Sequence, residues 1–211
     1  AVWDEAREAN IGFAERLLEI GVHKQITNRR LECDMWHTVI ITSTEWSNFE
    51  HLRVNKHAQP EFKKSAEMVM DVIDASKPKL LGDTEWHLPF IMPEDLGRQP
   101  DDEWYTPEDL IRASVGRAAR VSYLTHDGKR DVEADIKLAN GLLQNGHMAP
   151  WEHVARPMRR QERELFETSR FLPLPIDEDK PLSGRIEWHA DRDLHFLGNF
   201  NGWVQARKLI H

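Results

Sequence analysis

Thr42 to Glu61 reads TSTEWSNFEHLRVNKHAQPE, and the rest of the chain is organised around it. Thr42 followed three residues later by Glu45 is a capping box, placed where an apolar, strand-like run ends. Trp46, Phe49 and Leu52 then recur at helical spacing, so a short helix with one apolar face is expected. Asn48 and Arg53 fall near one edge of that face. Val54 to His57 is a polar turn, and a second helix starts near Gln59 with Pro60 in its first turn. A helix, a tight polar turn and a helix aim a few polar side chains at one spot. The same spacing also describes a surface helix pair whose Arg53 and His57 are solvated.

Working back towards the start, Met35 to Ile41 is β-branched and apolar, and Thr38–Thr42 reads as a short strand. Val22 to Leu31 reads as a short helix carrying Lys24, Asn28, Arg29 and Arg30. Asn28 and Arg29 fall between Ile26 and Leu31, so one of them is expected to point inward and to need a carboxylate, phosphate or carbonyl partner. The alternative is a cation relaxed against the helix C-terminus. Ala1 to Ile20 is helical, with Trp3, Ala6, Phe13, Leu17 and Ile20 on one stripe and Gly21 as its stop. No Met and no capping residue precede Val2, so further residues are expected upstream of Ala1.

Working forward, the second helix of the pair runs to about Asp74, with Phe62, Ala66, Val69, Met70 and Ile73 on its buried side. Pro78 to Pro107 is rich in proline and acids, yet its Trp86, Leu88, Phe90 and Trp104 mark it as a packed irregular strap. Thr106-Pro107-Glu108-Asp109 opens the next helix, with Thr as N-cap and acids in the first turn. The small residues Ala113, Ser114, Gly116, Ala118 and Ala119 allow another backbone to approach that helix closely. Val132 to Asn145 is an amphipathic helix closed by Gly146. Arg156 to Arg170 is charge-rich and reads as a solvated face.

A second informative stretch is His147 to His153, HMAPWEH, directly after that helix. His and Glu are zinc ligands, but the spacing of His147, Glu152 and His153 straddles Pro150 and cannot form the single helical face of an H-E-x-x-H site. No metal is expected.

The formal charge of the 211 residues is −8, which lacks the basic balance of a nucleic-acid binder. An anionic ligand must therefore be gathered by a few local cations. The single cysteine, Cys33, permits no disulfide within the chain and fits a reducing compartment. No apolar run reaches the ~20 residues of a membrane span. A cytoplasmic protein is expected.

NFEHLRVNKHAQPE, residues 48–61, resembles the N-F-x-x-L-R-x-x-x-x-A-Q-x-E signature of the flavin-dependent thymidylate synthases. GRAARVSY, residues 116–123, then a helix, then GHMAPWEH, residues 146–153, resembles that family's other motif block. The two blocks cover about half the chain and stand in the reverse of the family's usual order, so the sequence is similar to a circularly permuted, virus-type member. Permutation is tolerated where chain ends lie close together at the surface. The family's R-H-R-x-x-S-x-N-E-x-S-x-R-Y signature is not found. In a permuted chain it belongs ahead of Ala1, and GWVQARK near the end only echoes its lead-in.

What this resemblance implies is an α/β (α+β) fold, with long helices packed on a small mixed sheet that includes Thr38–Thr42 and a segment near His153–Pro157. One domain is implied over 1–211, with a dUMP and flavin block at 1–77, the strap at 78–107 and a second flavin block at 108–211. Arg53 corresponds to the arginine at the uracil edge of dUMP and is the implied catalytic residue. Arg29 and Asn28 fall near a second dUMP-binding arginine, and Gln205 and Arg207 join the substrate set. Asn48, His57, Ser122 and His147 match residues that contact FAD. Ala149 replaces a usual Thr or Ser, and Pro60 a usual Trp.

The implied reaction is reductive methylation of dUMP to dTMP, with methylenetetrahydrofolate giving the carbon and NADPH recharging the FAD. A homotetramer with sites at subunit interfaces is implied as well. No protein nucleophile is needed, and Cys33 reads as a structural residue at an apolar helix end. Two other functions stay open. One is a hydroxymethylating relative acting on another pyrimidine nucleotide, and the other is a non-catalytic nucleotide-binding fragment or subunit.

Overall fold

The computed structural model describes residues 1–97, 104–121, 130–164 and 200–210. The chain divides into two compact units, Ala1–Val39 and Ile40–His211. The described residues are mostly helical with one two-stranded antiparallel sheet, an α+β arrangement.

In the first unit, α1 (Val2–Glu19) ends at Gly21, whose φ of 83° no β-carbon residue adopts cheaply. The expected second helix is only one turn of α2 (Lys24–Thr27), continued by 3₁₀ turns at Asn28–Arg30 and Glu32–Asp34. The Thr27 hydroxyl donates to the Lys24 carbonyl at 3.0 Å, a local bond that competes with regular helix. Thr27 is the buried residue of this segment. Asn28 and Arg29 are both exposed, so neither carries the inward-pointing role expected of one of them. Cys33 is exposed too, not packed at an apolar helix end. Its hydrogen bond to Asp34 and that carboxylate's charge hold the thiol above its usual range, away from the nucleophilic thiolate.

The second unit is built on α5 (Pro107–Arg120) and α6 (Val132–Gln144), which make the most extensive helix contact among the described residues. Thr106 caps α5, accepting from the Asp109 N–H at 3.2 Å while the Asp109 carboxylate accepts from the Thr106 N–H at 3.0 Å. Ala113, Ser114, Val115, Gly116 and Ala118 are all buried. Gly116 is where the helices touch most closely, since a β-carbon there would lie 2.3 Å from the Asp135 carbonyl oxygen. Val115, Ala139, Trp151, Val154 and Ala206 form the main core, and Trp86 and Leu88 of the strap pack against it.

The sheet pairs β1 (Ala155–Pro157) with β2 (Trp203–Gln205), Ala155 opposite Gln205 and Pro157 opposite Trp203. His87 of the strap bridges Ala155. Every described pairing is antiparallel, so the expected mixed sheet is not what these residues form. Thr38–Thr42 is not a strand. Its β-branched residues favour a pleated surface only where a partner edge exists, and Val39 and Ile41 are instead exposed.

α3 (Ser47–Arg53) and α4 (Pro60–Ala75) form the expected helix pair, with Pro60 at the first position of α4. The Thr42–Glu45 capping box is not used: α3 starts after Trp46. Ser43 makes the turn instead, its hydroxyl accepting from the Glu45 N–H at 3.1 Å. Trp46 and Phe49 meet edge to face at 5.7 Å. Arg53 lies over the Phe62 ring at 5.4 Å. Five residues are about 140° of helix, so Asn48 and Arg53 flank the apolar face on opposite edges instead of sharing one.

Candidate functional site

The segment with the most converging polar contacts begins where α6 ends. Gly146 takes φ 72°, and the His147 N–H reaches back to the Leu142 carbonyl at 2.8 Å, closing the helix. A 3₁₀ turn over Ala149–Glu152 follows, and within it Trp151 is 3% exposed and packed into the core. That anchor leaves His147 on the surface and Glu152 and His153 half-buried at the rim.

Three other parts of the unit close on this turn. The Ala206 N–H donates to the Val154 carbonyl at 2.7 Å, and Gln205 Nε2 to the Glu152 carbonyl at 2.9 Å. The Arg207 guanidinium pairs with the Glu152 carboxylate. Thr42 Oγ1 and His153 Nδ1 share a hydrogen bond at 3.0 Å. The Asn201 N–H donates to Thr44 Oγ1 at 2.6 Å. The lead-in to α3, the turn after α6 and the approach to β2 are thus tied to one another. Burial of His153, reinforced by the charge of nearby His87, holds its imidazole below the usual histidine range and so neutral at pH 7.

Two buried ion networks brace the region. Arg117, in the segment GRAARVSY, donates to Asp95 from both terminal nitrogens, at 2.5 and 2.9 Å, and to Asp135 from Nε at 2.8 Å. It also donates to the Phe90 carbonyl at 2.8 Å. Phe90 has φ 66°, a strained value for a bulky residue, and the Arg117 bond to its carbonyl helps to hold it there. The Arg117 charge draws the Asp95 carboxyl below its ordinary range.

The second network centres on Arg156, although the charge-rich run from Arg156 predicts a solvated face. It is buried, 4% exposed, and grips Glu162 through two bonds of 2.6 and 2.7 Å. Its guanidinium lies 5.8 Å from the Trp86 ring centre. The paired guanidinium pulls the Glu162 carboxyl down to about 2. An arginine set among Val154, Ala155 and Met158 is the signal that marks it, since a lone cation inside an apolar run needs a partner.

The residues singled out from the sequence fall into separate groups. Gln205 and Arg207 come together on Glu152. Asn48 and Arg53 are on α3 and His57 follows in the turn, all three exposed. His147 is exposed at the end of α6, and among the described residues it makes no hydrogen bond to the others. Asn28 and Arg29 belong to the first unit. Ser122 lies outside the described residues.

A flavin ring presents carbonyl oxygens and ring nitrogens, so it needs uncommitted donors and acceptors at the surface. Asn48, His57 and His147 meet that demand: their side chains are exposed and hold no hydrogen bond or ion pair among the described residues. Arg53 likewise has no carboxylate partner among them and stacks on Phe62 alone. Among the described residues no group of three His, Cys, Asp or Glu is placed to hold a metal ion, and no helix is long and apolar enough to cross a membrane. No protein-family model, no curated protein and no solved structure matches the chain.

Proposed function

We propose that the chain is a flavin-dependent enzyme that methylates the pyrimidine of dUMP, in the manner of the flavin-dependent thymidylate synthases. One observation carries the reading. The lead-in to α3, which bears the first motif block, and the end of the second block are tied together by the hydrogen bond between Thr42 and His153, 111 residues apart in sequence. A shared ligand site needs such a junction. The fold proposed is that family's, with a homo-oligomer as the working form.

Asn48, His57 and His147, with Ser122, hold the FAD. Bound FAD, recharged by NADPH, supplies the hydride, and methylenetetrahydrofolate supplies the carbon. Arg53 sets a fixed cation at a uracil carbonyl and stabilises the negative charge that develops there as C5 becomes nucleophilic. Its guanidinium lies 5.4 Å from the Phe62 ring centre and keeps its fork of donors available for two parallel bonds to one edge of the base. Arg207 and Gln205 bind the nucleotide at the rim formed with Glu152.

The test is a titration of the purified chain with FAD, followed by flavin absorbance and fluorescence. Uptake of FAD that falls about tenfold or more in Asn48→Ala with His57→Ala supports the reading. A chain that takes up no FAD, or takes it up equally well without those two side chains, refutes it.

A further inference from the structure

The turn after α6 and the lead-in to α3 meet at one pair of side chains, and one of the two titrates. Thr42 Oγ1 and His153 Nδ1 share a hydrogen bond at 3.0 Å, and both residues are half-buried. The backbone of His153 is held from both sides, because Trp151 before it and Val154 after it are buried in the core. A second imidazole stands close by. His87 of the strap is fixed at its backbone, its N–H donating to the Ala155 carbonyl at 2.7 Å. Burial and the His87 charge both work against a proton on His153.

The acids on the elements packed around His153 do not offset that cost. Glu152, beside it on the turn, is held by Arg207 of the last turn. Glu162 is held by Arg156 of β1, and Glu85 of the strap by Lys79 at 2.7 Å. Glu45 of the lead-in accepts from Asn201 Nδ2 at 3.5 Å. None of these carboxylates is left over for an imidazolium. A protonated His153 therefore relieves its charge by turning to solvent, which breaks the bond to Thr42. The tie between Asn201 and Thr44 does not involve His153 and remains.

We propose that His153 is a positioning residue: neutral, it latches α3 onto the turn after α6, and protonated, it lets α3 loosen. This latch does not depend on the flavin reading, since it concerns how two segments are joined and not what they bind. A histidine that is harder to protonate in the closed form than in the open one favours closure above its ordinary value of 6.5. As pH falls below that value the open fraction rises, by at most about tenfold per pH unit for one proton.

Hydrogen exchange of the full chain tests it, with each amide's rate divided by its intrinsic rate at the same pH. Between about pH 7.5 and about pH 5, protection in α3 of wild type should fall about three- to tenfold while protection in α6 holds. His153→Gln keeps a side chain that bonds Thr42 but cannot titrate, so its α3 protection should not change with pH. His87→Gln should shrink the loss without abolishing it, because the burial of His153 remains. Thr42→Val removes the bond and leaves both histidines, so at neutral pH its α3 should be as weakly protected as that of wild type in acid. Wild-type α3 protection that does not vary with pH, or that falls equally in His153→Gln, overturns the latch. Full α3 protection in Thr42→Val at neutral pH overturns the part played by the bond. No flavin is present in this assay, and FAD uptake is measured apart, so failure of one reading leaves the other standing.

Discussion

Replacing Glu162 by Gln removes the charge that Arg156 holds while keeping the size and one carbonyl acceptor of the side chain. Arg156 is almost wholly buried, and its guanidinium has Glu162 on one side and the Trp86 ring on the other. The Glu162 carboxyl titrates near 2 instead of near 4.5, a displacement equivalent to about 3 kcal/mol at pH 7. Because the carboxylate keeps some contact with solvent, we take the contribution as about 2–3 kcal/mol. The sign follows from the lowered value. The stabilisation is complete above the unfolded carboxyl's range near 4.5 and is lost as pH falls from there towards 2. Urea melts at pH 7 and at pH 3 read it directly. At pH 7 Glu162→Gln should be less stable by about 2–3 kcal/mol, and at pH 3 the gap should shrink by more than half, because wild type has by then lost most of the same term. A gap that is the same at both pH values would mean that the pair is not coupled through its charge. No gap at pH 7 would mean that burial of Arg156 is relieved in some other way.

Two further outcomes follow from the geometry. Gly116→Ala sets a β-carbon against the Asp135 backbone, which cannot move aside as a flexible side chain would, so α5 and α6 must separate; thermal or urea melts should show a loss of about 1–3 kcal/mol, and an unchanged melt would refute the close approach. Arg53→Lys keeps the charge but loses the planar pair of donors; dUMP affinity should fall roughly ten- to a hundredfold while FAD content and melting temperature hold, and unchanged dUMP affinity would remove Arg53 from the proposed site.

What could be read from the sequence was whatever depends on neighbours within a few residues. Thr106-Pro107-Glu108-Asp109 predicts the start of α5, and that capping box forms with Pro107 at the first position. Gly21 and Gly146 predict helix ends and occupy left-handed backbone there. The run of small residues in α5 predicts a close backbone neighbour, and α6 supplies it at Gly116. The failures share the opposite cause. Thr42 has the sequence of a helix cap, but its hydroxyl is drawn to His153, 111 residues away. Thr38–Thr42 has the composition of a strand and no described partner edge. Arg156 finds Trp86 across the fold and Glu162 one turn beyond the sheet, neither at a spacing that a local pattern records. The sequence can state the demand of each such residue, but the residue that meets it is chosen by the tertiary fold.

The arginines show how that demand separates structure from function. Arg117 and Arg156 are buried, and each is held by carboxylates placed on other segments: Asp95 and Asp135 for one, Glu162 for the other. A buried guanidinium without its acid is costly, so replacing either one must register first as lost stability. Arg53 is built differently. It is exposed, its guanidinium lies 5.4 Å from the Phe62 ring centre, and no described carboxylate neutralises it. Solvent already carries its charge, so the folded chain gains little from its presence. An exposed planar cation that the fold does not need is what an anion or a carbonyl edge arriving from solution requires. That distinction suits Arg53, and not the better-bonded Arg117 or Arg156, to the role that the resemblance of residues 48–61 implies for it.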